Sequence, residues 1–378
     1  MRDSTKKPST GEALRTSEGF TPARFLKSPL LIPFLMLAAL VVFNLVIDPA
    51  FFRITVVTNN AGYPSMQGRI VSILNNGSEL AILAIGMTLV TAASGGQDIS
   101  VGAVSAIAGA VILRVICGDE TAPLAPHAPI LLALLASIAV AMCFGAFNGA
   151  LVSVFKIQPM VATLILFTAG RQIAYWIGGG KILNAPGYVF KYFGNNIPGI
   201  AIPTPIFITI ACLIVVALLL KFTSLGLYAQ TVGINIKSAR LNGLNPTWIK
   251  MMTYIIMGVC VAIVGFIKVS RTGNINYDTL AKDIEMDAIL AVAIGGNALG
   301  GGKFNLTGSI AGAYIIQFLT NTLYATNVSS DSLKAYKAIV IIIIVVIGSP
   351  VLKEYMGKLW QSVSRLWKKL ASEAAQGV

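Results

Sequence analysis

Long apolar runs alternate with short polar breaks from residue 29 to residue 352, the pattern of helices that cross a bilayer repeatedly. A span takes about 20 apolar residues, fewer where it is broken or shielded by protein. The pattern predicts ten spans, over 29–48, 78–95, 99–117, 129–155, 159–179, 204–222, 250–270, 287–302, 306–325 and 336–352. Two are irregular. The run 129–155 is long and carries Gly145 and Gly149, and 287–302, DAILAVAIGGNALGGG, is short and ends in loose glycines. Residues 49–77 are too polar to span and have room for a short surface helix. The expected organisation is a polar tail over 1–28, an all-α polytopic membrane domain over 29–352, and a final segment over 353–378.

The longest polar break is Leu225 to Lys250, LGLYAQTVGINIKSARLNGLNPTWIK. Asn235 suits an N-cap, and Ile236 to Asn242 make about two helical turns. Gly243 supplies the left-handed residue that ends them, and Pro246 prevents continuation. On this helix Ile236, Ala239 and Arg240 fall on one face, with Lys237 and Leu241 beside it. A short basic helix between two spans has little core of its own. It is expected to fit another protein, against the plainer reading of a solvated loop helix.

Composition sharpens the class. Of 378 residues, 56% are hydrophobic and 11% charged, with mean hydropathy +0.78. A soluble domain carries about a quarter charged residues. The net charge of +13 lies in flanks and loops beside apolar spans and forms no basic patch interleaved with aromatics, which excludes nucleic acid as a partner. With ten spans and both termini inside, the inner segments hold 17 Lys/Arg and the outer ones 7, which places 225–250 in the cytoplasm. The first 28 residues lack a cleavage site and read as a cytoplasmic tail. In 353–371, Leu359, Val363, Leu366 and Leu370 recur at helical spacing beside Trp360, Trp367 and five Lys/Arg, an amphipathic helix for the inner leaflet and its lipid.

Enzyme chemistry is not visible. The four cysteines stand singly and His127 is the one histidine, so no Cys/His metal site and no Ser/His/Asp set is expected. Around Lys303 the sequence GGGKF has Phe where a phosphate loop needs Ser or Thr, and Asn297 where its first glycine belongs. If the chain uses ATP, another chain hydrolyses it.

Polar residues within or beside the spans are the remaining candidates. In GMTLVTAASGGQDISVGAVSAIAGA (86–110), Gly95 and Gly96 allow a reversal, and Asp98 or Ser100 caps the next helix. Gln97, Asp98 and Ser100 either lie near a translocation path or form a plain capped hairpin. Residues 291–313, AVAIGGNALGGGKFNLTGSIAGA, repeat the plan, and AILA occurs at 81–84 and at 288–291. Arg171, twelve residues into its span, either lines a path for a hydroxylated solute with Gln172 and Asn148 or satisfies carbonyls near Gly178–Gly180; the structural role is favoured. An ion-coupled carrier would show ionisable residues deep in several spans. Arg171 stands nearly alone, with no carboxylate clearly mid-span, which disfavours that class.

These blocks resemble a known family. GMTLVTAASGGQDISVG resembles the GMTLVI…GGIDLSVG segment of the membrane subunits of bacterial ribose-type sugar ABC importers. VGINIKSARLNGLN resembles the coupling segment GxNxxAARLSGIN, and DAILAVAIGGNALGGGKFNLTGSIAGAYII the block DAIAAVVIGGxSLxGGxGxxxGTxxGAxII. IPTPIFI before the sixth span also fits. The blocks keep the family's order over roughly 70–350. KIQPMVATLI, VGINIK and GGKFNL are most similar to the galactofuranose permease subgroup. Gln97 departs from the usual apolar residue, which implies altered specificity or a polar loop surface. The loops 49–77 and 180–203 also differ and are expected to meet the binding protein.

The resemblance implies a type II importer permease of about ten helices in the bacterial inner membrane, non-catalytic itself, with no cofactor of its own. It implies two permease copies around the path, a second copy or a paralogue, and a periplasmic binding protein delivering a monosaccharide. ATP and magnesium would bind a cytoplasmic ATPase with two nucleotide-binding halves. Gly233, Asn235, Lys237, Ala239, Arg240, Leu241 and Gly243 would contact that ATPase, and Gln97, Asp98, Ser100, Asn148, Arg171, Gln172 and Asn297 would line the path.

Overall fold

The computed structural model describes residues 31–58, 64–187 and 189–326, with short pieces between 328 and 342. The tail 1–28, most of the expected last span and the segment 353–371 lie outside these residues. The described helices are α1 (Leu31–Ile47), α2 (Arg69–Ser94), α3 (Val101–Cys117), α4 (Ile130–Ser153), α5 (Pro159–Ile177) and α6 (Thr204–Thr223), followed by α7 (Leu225–Ile234), α8 (Ile236–Leu241), α9 (Pro246–Thr272), α10 (Ile284–Ile294) and α11 (Leu306–Ala325).

The long helix α2 is the centre. From Gly77 to Ala93 every residue is buried, because α6, α7, α9, α10 and α11 all pack against it. Helix α3, rich in Gly, Ala and Ser, is the second buried element and lies against α4, α5 and α9. Helices α4, α5 and α6 hold apolar side chains outward, among them Leu131, Leu135, Leu164, Phe207, Ile214 and Leu218. An apolar exterior around a small-residue core is stable only with lipid as solvent. Five described helices, α2, α4, α5, α6 and α9, are long and apolar enough to cross a membrane, and α1 and α3 are shorter apolar helices. The protein is a multi-pass, mostly helical membrane protein.

Four expectations need correction. The connection 49–77 holds a 3-10 turn at Pro49–Phe52 and then an antiparallel hairpin, β1 (Thr55–Thr58) with β2 (Pro64–Gln67), in which Val56 pairs with Met66, so the chain is not purely helical. The first strand, TVVT, consists of residues of high strand propensity within a connection that no span claims. Helix α2 starts at Arg69, nine residues before the apolar run, with Val71 and Ile73 buried and Ser72 and Leu74 exposed in its first turns. Helix α4 continues unbroken through Gly145 and Gly149, the residues at which α9 crosses closest. The run 287–302 gives only the 11-residue helix α10. Before it, residues 273–283 leave the end of α9 and run back along α3, with Leu280 beside Gly109 and Glu285 beside Gly102. Helix α10 therefore begins partway down the bundle.

Candidate functional site

At the end of the bundle that carries α8, two glycine reversals meet. Gly95 closes α2 in the left-handed conformation at φ 70°, and residues 295–305 turn from α10 into α11. Gln97 donates from Nε2 to the Leu299 carbonyl at 2.8 Å, and the Gly302 amide donates to the Ala92 carbonyl at 3.0 Å. The two segments that share a sequence plan thus bind each other. Helix α7 closes over them at Gly233, where any β-carbon would overlap the Ala92 carbonyl and crowd the Gly302 amide.

Helix α8 follows directly. Asn235 is its N-cap, with Oδ1 accepting from the Lys237 amide at 2.9 Å and the Ser238 amide at 3.1 Å. Gly243 lies beyond its end at φ 78°. Ala239 does not share an outward face with Ile236 and Arg240: it is buried with Val232 and Ile249, so α8 has a small core of its own. Ile236, Lys237, Arg240 and Leu241 remain exposed, Leu241 at 89%.

The seven expected path residues separate into distinct groups. Asp98 is buried in the loop between α2 and α3 and accepts from the Ser100 amide at 2.9 Å and the Ser100 hydroxyl at 2.6 Å. Burial pushes its carboxyl above the ordinary carboxylate range, and hydrogen bonding from Ser100 opposes this. Asn148 on α4 donates to Ser100 Oγ at 2.9 Å, while its buried Oδ1 has no hydrogen-bond partner among the described residues. Asn297 locks the other reversal, donating to Ser309 Oγ at 2.8 Å and accepting from the Asn305 amide at 2.6 Å. Ser309 in turn accepts from Thr88 of α2 at 2.7 Å.

Arg171 lies apart from both groups. Its Nη1 donates to the carbonyls of Tyr277 at 2.9 Å and Leu280 at 3.0 Å. Irregular backbone at membrane depth must be satisfied by protein, and Arg171 does this for the segment leading into α10. These are not the carbonyls near Gly178 that the sequence suggested. Gln172 is exposed on α5.

Arg171 is not nearly alone. Glu79 sits ten residues into α2, 4% exposed, with Lys268 Nζ 2.7 Å from its Oε2 and Arg271 Nη1 2.8 Å from its Oε1. Arg271 also donates to Asn76 Oδ1 at 2.8 Å and Asn75 Oδ1 at 3.2 Å. Asp287 on α10 binds Lys337 at 2.6 Å. Glu79, Lys268, Arg271, Lys282, Asp287, Asn76 and Gln317 line a cavity of about 230 Å³ between α2, α9, α10 and α11. None of the seven expected path residues lines it. Hydropathy alone could have flagged Lys268, a charge inside the run 250–270, and Glu79 at the edge of the run 78–95; that the two meet follows only from packing.

A bundle with lipid-facing apolar helices, a charged cavity between them and a capped helix projecting at one end fits a membrane transport component. The chain belongs to the family of branched-chain amino acid transport system permease components, whose model matches residues 69–348. It is 36% identical over 330 residues to the galactofuranose transporter permease protein YtfT of Escherichia coli, covering 87% of this chain and 92% of that protein. It is 34% identical to the fructose import permease protein FruF of Bifidobacterium longum (77% and 80% covered) and 33% identical to the ribose import permease protein RbsC of Escherichia coli (87% and 96%). No solved structure matches. As a permease component the chain is not an enzyme.

Proposed function

We propose that the chain is the membrane subunit of an ATP-driven importer for a monosaccharide, and the identity it shares with sugar permeases along nine-tenths of their length carries this reading. A periplasmic binding protein delivers the sugar, a second permease copy or paralogue completes the path, and a separate ATPase with two nucleotide-binding halves holds ATP and magnesium. The chain spans the inner membrane about ten times with both termini in the cytoplasm; the inner excess of Lys/Arg supports this orientation.

Residues 225–250 form the coupling element. Asn235 and Gly243 shape α8, Lys237, Arg240 and Leu241 meet the ATPase, and Ala239 seats the helix. Gly233 passes the motion of α7 to both glycine reversals. Gln97, Asp98, Ser100, Asn148 and Asn297 form the moving joint at that end of the path, while Arg171 braces the segment before α10 and Gln172 faces outward. ATP binding supplies the free-energy difference between outward- and inward-open states.

A stand-alone ion-coupled carrier is set aside by the relatives, not by lack of buried charge, since Glu79 is buried in α2. Purification from native membranes in mild detergent, with mass spectrometry of what accompanies the chain, tests the reading. Recovery of a two-domain ATPase at one copy per two permeases is expected. A preparation without any ATPase, even after crosslinking at α8, overturns it.

A further inference from the structure

Two buried polar groups at the end of the bundle that carries α8 flank one turn of the chain. Tyr254 on α9 is fully buried, yet its hydroxyl has no hydrogen-bond partner among the described residues. The side-chain carbonyl oxygen of Asn148 on α4 is buried and stranded in the same way. The Asp98–Ser100 turn lies beside both. The Tyr254 hydroxyl is within electrostatic reach of the Asp98 carboxylate, and the Asn148 amide reaches Asp98 as well as Ser100 Oγ. Ser94 also approaches that hydroxyl, but it gives its own proton to the Val90 carbonyl at 2.7 Å. A buried donor or acceptor without a partner raises the free energy of the conformation that strands it. Here one stranded group donates and the other accepts, so one rearrangement of the turn can satisfy both.

The surroundings divide into a clamped part and a movable part. Tyr254 and Asn148 belong to the crossing of α4 and α9. A β-carbon at Gly149 would stand 3.2 Å from Tyr254 Cβ, and one at Gly145 would overlap the Tyr254 carbonyl, so the two backbones are held close. Asp98 and Ser100 follow the left-handed Gly95, in the reversal that Gln97 ties to Leu299 and on which Gly233 of α7 rests. Ile249, which buries Ala239 of α8, lies one turn and a half before Tyr254 on α9. The coupling element thus touches both parts.

We propose that the Asp98–Ser100 turn exchanges hydrogen bonds during transport and that Tyr254 is a positioning residue for this step. In the conformation described here the Ser100 hydroxyl donates to Asp98 and accepts from Asn148. In the state that ATP stabilises, the Tyr254 hydroxyl donates to Asp98 in its place. The Ser100 hydroxyl turns to the Asn148 carbonyl oxygen, and the Asn148 amide moves onto Asp98. Both stranded atoms are then partnered, so the exchange contributes to the free-energy difference through which ATP shifts the two states. This rests on the permease reading and names residues through which ATP acts on that joint.

The test uses the chain purified with its ATPase in lipid nanodiscs, with a non-hydrolysable ATP analogue as probe. Tyr254→Phe removes only the hydroxyl. Without nucleotide its thermal unfolding is expected to match or exceed that of the unmodified chain, because no bond is lost. Its affinity for the analogue is expected to fall about tenfold, the net worth of one hydrogen bond. Asp98→Ala should also weaken the analogue, and adding Tyr254→Phe to it should cost nothing more, since the hydroxyl then has no acceptor. An unmoved affinity in Tyr254→Phe, a lowered transition without nucleotide, or full additivity in the double variant overturns the exchange. If Asp98→Ala fails to fold, the two Tyr254→Phe measurements still decide. A preparation without any ATPase defeats the importer reading itself, whereas a recovered ATPase with unmoved analogue affinity defeats only the exchange.

Discussion

At the scale of single residues, the clearest dependence is that of Lys268 and Arg271 on Glu79. Removing one partner of a buried ion pair costs about 3–5 kcal/mol, because the remaining charge is stranded. Both cations are about a quarter exposed, so Glu79→Ala should fall at the lower end, about 3 kcal/mol. Thermal unfolding in nanodiscs measures it, and an unchanged transition would show that the pair contributes no stability. Arg171→Leu leaves two membrane-depth carbonyls without a donor and should cost about 1–3 kcal/mol in the same assay. Arg171 was legible as an expensive charge, and its structural use was expected. The carbonyls it serves were not, because residues 273–283 fall between two apolar runs and carry no local signal of their path. Glu79 escaped notice for a related reason: it stands at the first edge of the apolar run, where a charge ordinarily meets headgroups.

Elements defined by local signals were the most legible. The cap at Asn235, the two turns of α8 and the left-handed Gly243 are written within nine residues, so no tertiary contact is needed to place them. The seat of Ala239 depends on Val232 and Ile249 and was not readable from helical spacing alone. Arg240→Glu is expected to abolish sugar uptake while leaving membrane insertion intact, as scored by uptake and by membrane abundance. Ala239→Pro should do the same, because it removes the amide that bonds the Asn235 carbonyl and enlarges a buried side chain. Normal uptake by both variants would remove the coupling role. Gly233→Val forces α7 off the Ala92 carbonyl and should uncouple ATP hydrolysis from uptake. Coupling that survives this change would mean that α7 does not carry the motion. The short helix α10 shows where hydropathy misleads: its apolar run spans the glycine turn, so length in sequence overstated length in helix.

For the whole molecule, the bundle of apolar helices follows from the sequence, whereas the partners of its charges join positions up to about 200 residues apart and follow only from packing. The proposed orientation makes a direct prediction. In intact spheroplasts an impermeant maleimide should label Leu124→Cys, fully exposed in the 118–128 loop, and should not reach Lys237→Cys on α8. The reverse pattern would invert the topology.

The pairing of Glu79 with Lys268 and Arg271 also bears on biogenesis. Translation delivers Glu79 about 190 residues before its partners, so α2 carries a stranded charge until α9 arrives to pair it. Insertion of the two helices is therefore linked, and a chain truncated between them should be lost from the membrane faster than one truncated after Thr272.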